Sequence, residues 1–251
     1  MNFAEKMLVI RTGRFKEYDL WVRFLSPSNG ILTGFAFGGC RSRKRFSGCL
    51  DVLNLVLFKI SSGKRNNYLV LEEGSLINGY PELKKDSSRL GMALNSLRFV
   101  QQICPEGDDS SGIYSLMLDY LETMETNPSI PSFFPLLFRA RASFNHGYQP
   151  SLDFCCRCGL ELNKIAQPVF LYSEGKVACT KCRQGNDRVF KTHRESLIFL
   201  KALSATRPIQ WAGWTPGAII LQDCFQMVES LVEYHLGGNS SGEKMYNSGQ
   251  L

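Results

Sequence analysis

Two Cys-x-x-Cys pairs decide how the second half of this chain folds. The first lies in Cys155-Cys156-Arg157-Cys158-Gly159 and the second is Cys179-Thr180-Lys181-Cys182, with twenty residues between Cys158 and Cys179. Two pairs at this separation can supply four thiolates to one tetrahedral zinc ion. The spacing therefore predicts a zinc site whose ligands are Cys155, Cys158, Cys179 and Cys182.

The segment between the two pairs has the pattern of a β-hairpin. Apolar residues at 169–172 and 177–178 flank the turn sequence Ser173-Glu174-Gly175-Lys176. Such a hairpin would bring the second cysteine pair beneath the first. Cys156 is an alternative ligand to Cys155, but Cys156-x-Cys158 has a poorer spacing for one metal ion.

Disulfide bonds are the alternative use of these cysteines. The first six residues lack the features of a secretion signal, and no run of eighteen apolar residues predicts a membrane span. We therefore expect a cytoplasmic protein with no membrane partner, in which cysteines are thiols or metal ligands. Four cysteines without a nearby histidine favour a closed, structural zinc over a catalytic zinc with an open position.

The positive charge is concentrated in the first third of the chain. The net charge is +6, and residues 1–80 contain twelve Lys or Arg against six Asp or Glu. The other 171 residues contain equal numbers of both signs. A segregated positive field of this kind points to a polyanion, nucleic acid first.

The same first third has the pattern of a small β-barrel. Apolar and alternating segments separated by Gly, Pro and Asn turns predict five strands, and a long basic connection follows the third. Five short strands with this spacing fit a closed OB-fold barrel, which leaves no exposed sheet edge. The predicted strands cover residues 6–11, 16–25, 31–37, 52–60 and 68–76.

Beyond Pro81 the apolar period becomes helical. Ser87 or Ser88 is the expected N-cap of the first helix, which ends near Cys104. Further helices are predicted around residues 116–124, 133–144, 194–205 and 221–236. The fold class is therefore α+β and multidomain, with an N-terminal OB-fold barrel (1–80), a helical domain in two parts (81–150 and 189–238), an inserted four-cysteine zinc module (151–188) and a flexible tail (239–251).

An ordered set of motifs resembles the RecO family of bacterial recombination mediators. The match covers about residues 3–236 and is most specific in the first 80. The matching segments are Gly13-Arg14-Phe15-Lys16-Glu17-Tyr18-Asp19-Leu20, Leu25-Ser26-Pro27-Ser28-Asn29-Gly30, the Gly, Arg, Lys and Ser-rich segment from Gly38 to Leu50, and Gly147-Tyr148 followed by Cys155 to Gly159.

The resemblance implies a nucleoid-associated DNA-repair protein that is not an enzyme. It would bind single- and double-stranded DNA, anneal complementary strands and, with RecR, help load RecA on DNA coated by single-strand-binding protein. The sequence departs from the family near the third helix, where Phe138-Arg139 replaces the usual Phe-Glu and Leu136-Leu137 replaces a basic pair. Arg139 and Arg141 are the candidates here for contact with the acidic tail of single-strand-binding protein.

The candidate DNA-binding residues cluster in the basic connection of the barrel. Arg and Lys neutralise phosphates, and nearby aromatic rings can stack on bases. The rings that could stack in this way are those of Trp21, Phe35, Phe37 and Phe46. Trp21 is expected to face outward, whereas the barrel core is the favoured position of Phe35 and Phe37. The candidates are Arg41, Arg43, Lys44, Arg45 and Phe46, with Arg14, Lys16, Arg23, Lys64 and Arg65 as a second set.

Two other functions compete with this one. A zinc-dependent enzyme that processes nucleic acid is one, but the Pro-Cys-x-x-Cys part of the zinc-deaminase signature is absent and no His-x-Glu precedes the cysteine pairs. A zinc-ribbon factor associated with transcription is the other, and the barrel does not exclude it. No phosphate-binding glycine motif is present, so we expect no nucleotide chemistry.

Overall fold

The computed structural model describes residues 2–42, 44–62, 68–104, 106–107, 110–145, 149–185 and 187–236. The chain divides into two units, Met1–His146 with Thr206–Trp214, and Gly147–Ala205 with Thr215–Leu251. The predicted flexible tail lies outside the described residues, and the finer domain boundaries stay predictions. Within the described part, no helix has the length and apolar character that crossing a membrane requires.

Five strands of the first unit close into a barrel. The strands are β1 (Asn2–Arg14), β2 (Leu20–Ser26), β3 (Gly30–Ala36), β4 (Leu55–Ser62) and β5 (Leu69–Asn78). Their order is β1-β2-β3-β5-β4, and β1 pairs antiparallel with both β2 and β4, which closes the barrel. The β3–β5 pair is parallel. This five-stranded closed barrel confirms the predicted OB-fold.

Alternating side chains of the strands fill the barrel. Val22 and Phe24 of β2 and Val56, Phe58 and Ile60 of β4 are buried in one apolar cluster. The strand β2 begins at Leu20 rather than at residue 16, because the backbone N–H of Phe15 donates to the carbonyl of Asp19 and closes a turn there. The register of β1 shifts between Val9 and Arg11 at a β-bulge.

Seven helices are described outside the barrel, two of them short ones that the sequence pattern does not predict. They are α1 (Pro81–Lys85), α2 (Ser87–Ile103), α3 (Ser111–Thr126), α4 (Phe134–Ser143), α5 (Arg194–Ser204), α6 (Pro208–Trp211) and α7 (Ala218–Leu236). In the first unit, the ring of Tyr120 stacks on Phe134, and Trp211 is fully buried against Phe134. The tryptophan therefore packs between helices.

The N-cap of α2 differs from the sequence-based expectation. Asp86, not Ser87 or Ser88, caps the helix, and its carboxylate accepts hydrogen bonds from the backbone N–H groups of Ser88 and Arg89. A carboxylate at this position also interacts favourably with the positive end of the helix dipole.

The second unit contains a four-stranded sheet followed by helices α5 and α7. The strands β6 (Ser151–Cys155), β7 (Pro168–Leu171), β8 (Lys176–Cys179) and β9 (Val189–Lys191) lie in the order β6-β8-β7-β9. The β7–β8 pair is antiparallel across the turn at residues 172–175, which confirms the predicted hairpin. Because β6 lies beside β8, the ends of these two strands bring the cysteine pairs together.

Candidate metal centre and nucleic-acid interface

Four cysteine thiols of the second unit form one compact group. The Sγ atoms of Cys155, Cys158, Cys179 and Cys182 all lie within 4.8 Å of one another, and those of Cys158 and Cys179 are 3.9 Å apart. A tetrahedral zinc–thiolate site with bonds of about 2.3 Å has sulfur–sulfur distances of roughly 3.8 Å. The donor type, number and separation therefore fit a tetrahedral metal ion.

Backbone geometry explains why these four thiols converge. Cys155 and Cys179 end the strands β6 and β8, and each is followed by a tight turn that carries the second cysteine of its pair. Gly159 has φ +71° and donates its N–H to the carbonyl of Cys155 at 2.9 Å. Glycine suits this left-handed position because it has no Cβ.

Hydrogen bonds among the thiols and backbone shift the pKa values of Cys155 and Cys182 in opposite directions. Burial raises the pKa of Cys155, but backbone N–H groups, including those of Cys158 and Cys179, outweigh it and lower the pKa to about 6. Hydrogen bonds with Cys179 and Cys158 raise the pKa of Cys182 to about 12. Once Cys155 is a thiolate, Cys182 keeps its proton, because that proton is hydrogen-bonded to neighbouring sulfur atoms. A bound cation would favour loss of the remaining protons and so the form with four thiolates.

An ion pair links the two halves of the cysteine group. The guanidinium of Arg157 donates two hydrogen bonds to the carboxylate of Asp187, both at 2.6 Å, and a third to the carbonyl of Cys182 at 2.5 Å. The guanidinium holds the pKa of Asp187 down, at about 2.

Cys156 is exposed and lies outside the four-thiol group.

The outer face of β1, β2 and β3 carries two cross-strand rows of side chains. One row consists of Arg11, Arg23 and Thr33, and the next consists of Gly13, Trp21 and Phe35. The guanidinium of Arg11 lies 5.6 Å from the centre of the Trp21 ring. Trp21 faces outward as predicted, whereas Arg11 was not among the candidates.

Four aromatic rings form a cluster at one end of this face. We call Phe15, Phe35, Phe37 and Tyr68 the four-ring cluster. Phe35 is its centre, with ring centroids 4.9 Å from Phe15, 6.4 Å from Phe37 and 5.7 Å from Tyr68. The expectation that Phe35 and Phe37 lie in the barrel core is therefore wrong. Phe35 pairs with the outward-facing Trp21, so its ring lies on the outer face, where it contacts the ring of Phe37.

The basic connection between β3 and β4 lies beside this cluster. Arg41, Lys44 and Arg45 are exposed. Arg41 stacks on the ring of Tyr18 at 3.4 Å, and Arg45 donates to the carbonyl of Phe37 at 2.5 Å.

Phe46 corrects one of the candidate assignments. It is only 4% exposed and belongs to the apolar core of the barrel. The connection folds back so that this ring closes the core, and the ring face is not available to stack on a base.

The second set of cations is divided by the structure. Arg14 and Lys16 are exposed near the β1–β2 turn, and Lys16 lies 5.5 Å from the ring of Phe15. Arg23 is half-buried and donates to the carboxylate of Glu106 at 2.8 Å, so its charge is already partly neutralised. Arg43, Lys64 and Arg65 lie outside the described residues.

Arg139 and Arg141 do not converge on one surface. They are two positions apart on α4, which separates them by about 200° around the helix. The guanidinium of Arg139 lies 4.9 Å from the ring of Phe99, and burial lowers the pKa of Arg141.

Comparison with known proteins agrees with the fold and with these motifs. Residues 1–80 match the family described as Recombination protein O N terminal, and residues 84–242 match Recombination protein O C terminal. The "DNA repair protein RecO" of Oleidesulfovibrio alaskensis is 42% identical over 94% of this chain and 96% of its own length, and that of Maridesulfovibrio salexigens is 39% identical with the same coverage. A more distant relative from Anaeromyxobacter dehalogenans is 25% identical over 92% of this chain and 90% of its own. The chain belongs to the RecO family of DNA repair and recombination proteins.

Proposed function

We propose that this chain is a recombination mediator that binds single- and double-stranded DNA and anneals complementary strands without acting as an enzyme. The observation that carries the proposal is the outer side of the OB-fold barrel, where Arg11 lies beside Trp21 and Lys16 beside the exposed ring of Phe15. Arg41 and Lys44 add two exposed cations in the basic connection. Cations on such a face neutralise phosphates and release counterions, which gives affinity without sequence preference. Family membership and the positive charge of residues 1–80 support the same function.

The proposed mechanism is electrostatic. Two DNA strands repel each other through their phosphates, and a positive surface that binds both reduces this repulsion. Contacts to phosphates leave base edges free to pair, so annealing needs neither covalent chemistry nor a nucleotide. The energy for later recombinase loading would come from its partners, which the family resemblance gives as RecR, single-strand-binding protein and RecA.

The proposed metal is a structural zinc ion held by Cys155, Cys158, Cys179 and Cys182. Four thiolates leave no open position for a substrate or water, which distinguishes this group from a catalytic zinc site. Zinc would stabilise the second unit by linking the ends of β6 and β8, with a contribution on the order of 10 kcal/mol in isolated zinc peptides.

A fluorescence strand-annealing assay without nucleotide tests the proposed function. The purified chain is mixed with two complementary labelled strands, and the products are then separated on a denaturing gel. We expect faster annealing with both strands intact. Strand cleavage, or loss of the amino group from a base, would instead support a zinc-dependent enzyme.

A further inference from the structure

The four-ring cluster presents apolar rings to solvent on the outside of the barrel. The barrel core is filled by Val22, Phe24 and Phe58, and the cluster lies on the opposite, outer face. Phe15 is 50% exposed and Phe37 is 36% exposed, whereas the rings of Phe35 and Tyr68 are half-buried. A contiguous group of partly exposed rings bordered by charged side chains is typical of a binding surface.

Polar contacts hold these rings in place. The carboxylate of Asp19 accepts a hydrogen bond from the N–H of Gly38 at 2.8 Å, and its carbonyl accepts one from the N–H of Phe15. Arg45 fixes the carbonyl of Phe37. The turn after β1 and the connection after β3 are thus joined, so the rings are positioned before any ligand arrives.

The cations lie at the edges of the cluster rather than over its centre. The ammonium of Lys16 is 5.5 Å from the ring of Phe15, and the guanidinium of Arg45 lies beside Phe37. Surfaces that bind single strands combine cations that contact the backbone with rings that stack on bases, and this face offers both.

We propose that the four-ring cluster stacks on unpaired bases, and that it makes this face prefer single-stranded DNA to duplex. The inference rests on the proposed function and deepens it. Bases of a duplex are stacked inside the helix, so a duplex contacts only the cations. Pairing of two bound strands therefore removes the stacking contacts, and the product binds more weakly than the reactants.

Three DNA probes of about fifteen nucleotides separate these contributions. They are a thymidine strand, an abasic strand with the same number of phosphates, and a hairpin duplex, each measured by fluorescence anisotropy. We expect the protein to bind the thymidine strand at least about tenfold more tightly than the abasic strand, since stacking contributes about 1–3 kcal/mol per base.

The variant Phe15→Ala/Phe37→Ala should lose that preference and keep its affinity for the abasic strand and the duplex. A variant with Phe15→Leu/Phe37→Leu keeps apolar bulk and should also lose it. Phe225→Ala, a change at a similarly exposed ring on α7, should leave all three affinities unchanged.

Two results would overturn the inference. Equal affinity of the unmodified protein for the thymidine and abasic strands would show that bases are not stacked, while DNA binding itself would still stand. Full retention of the preference in the alanine variant would place base contact elsewhere. Absence of binding to every probe would instead contradict the proposed function.

Discussion

Cys155 and Cys156 are adjacent in sequence but have different environments. Cys155 is buried within the four-thiol group, whereas Cys156 is exposed outside it. We expect Cys155→Ser to lose bound zinc and to reduce the soluble yield, because three thiolates hold the ion less tightly and the ends of β6 and β8 separate. Zinc content per chain, measured by elemental analysis of the purified protein, checks this.

Cys156→Ser is the matched control for that experiment. It changes the same atom one position along the chain and should retain full zinc content. Zinc loss in both variants would show that the two cysteines exchange as ligands, and zinc retention in Cys155→Ser would contradict the assigned ligand set.

Sequence patterns predict single residues well only where the chemistry is local. The two Cys-x-x-Cys pairs specify their own geometry, and the four cysteines do converge. Phe35, Phe37 and Phe46 have no such signature, since Phe35 and Phe37 lie at the end of β3 and Phe46 lies within the connection to β4. Their side of the barrel depends on strand register and on how the connection folds back, and neither is encoded within a few residues.

At the scale of single elements, Gly13 is a point where β1 cannot accept a larger residue. A Cβ there would lie 2.4 Å from the Trp21 ring. We expect Gly13→Ala to move this ring, to change tryptophan fluorescence and to reduce stability by roughly 1–3 kcal/mol. Urea unfolding followed by fluorescence checks this.

Gly91→Ala is the corresponding control on α2. No atom lies within 4 Å of a Cβ built at Gly91, and alanine favours a helix by up to about 1 kcal/mol. It should leave stability unchanged or raise it slightly. Equal unfolding free energies of the two variants would contradict this prediction, since the Trp21 ring would then move without loss of stability.

Asp223 joins α7 to the start of α5. One of its carboxylate oxygens accepts hydrogen bonds from the Thr192 hydroxyl, the backbone N–H of His193 and the Ser196 hydroxyl, at 2.8–3.0 Å. The His193 ring nitrogen Nδ1 lies 2.9 Å from the same oxygen. Burial raises the pKa of Asp223, but the hydrogen bonds with His193, Ser196 and Thr192 outweigh it and the pKa is lowered. A lowered folded-state pKa stabilises the fold above the unfolded value of about 3.9, and this stability is lost as pH falls through the folded-state pKa.

We therefore expect Asp223→Asn to reduce stability by about 1–3 kcal/mol near neutral pH and by less below about pH 4. Thermal unfolding across this pH range checks it. Glu195→Gln, at an exposed carboxylate on α5, should have little effect at any pH. A destabilisation by Asp223→Asn that stays constant down to pH 3 would exclude the charged carboxylate as its cause.

Elements with a strong period are predictable from the sequence, and their ends are less so. The five strands and the five longer helices match the periodic segments, with shifts of a few residues. The helix α1 is too short to show a period, and α6 occupies only four residues beside the buried Trp211. The N-cap of α2 is hard to predict, because Asp86, Ser87 and Ser88 are all residue types that cap helices and only the backbone conformation selects Asp86.

At the scale of the whole molecule, the charge distribution separates the proposed roles of the two units. Residues 1–80 carry the whole net charge of +6, and the cysteine group lies in the second unit. The sequence alone locates this charge. It does not show that Arg23 is paired with Glu106, because that contact depends on where the connection between α2 and α3 lies against the barrel. Nor does it show that Arg11 lies beside Trp21, which depends on the register of β1 and β2.

The most direct test of the account compares two double variants with the same change in charge. Arg41→Ala/Lys44→Ala removes two cations from the barrel, and Lys164→Ala/Lys176→Ala removes two exposed cations from the second unit. The salt dependence of single-strand binding and the annealing rate are measured for both. We predict that only the barrel variant anneals more slowly and that its slope of log K against log salt becomes shallower by about 1.4. An unchanged slope and annealing rate in the barrel variant, or an equal loss in both variants, would contradict the assignment of DNA binding to the barrel face.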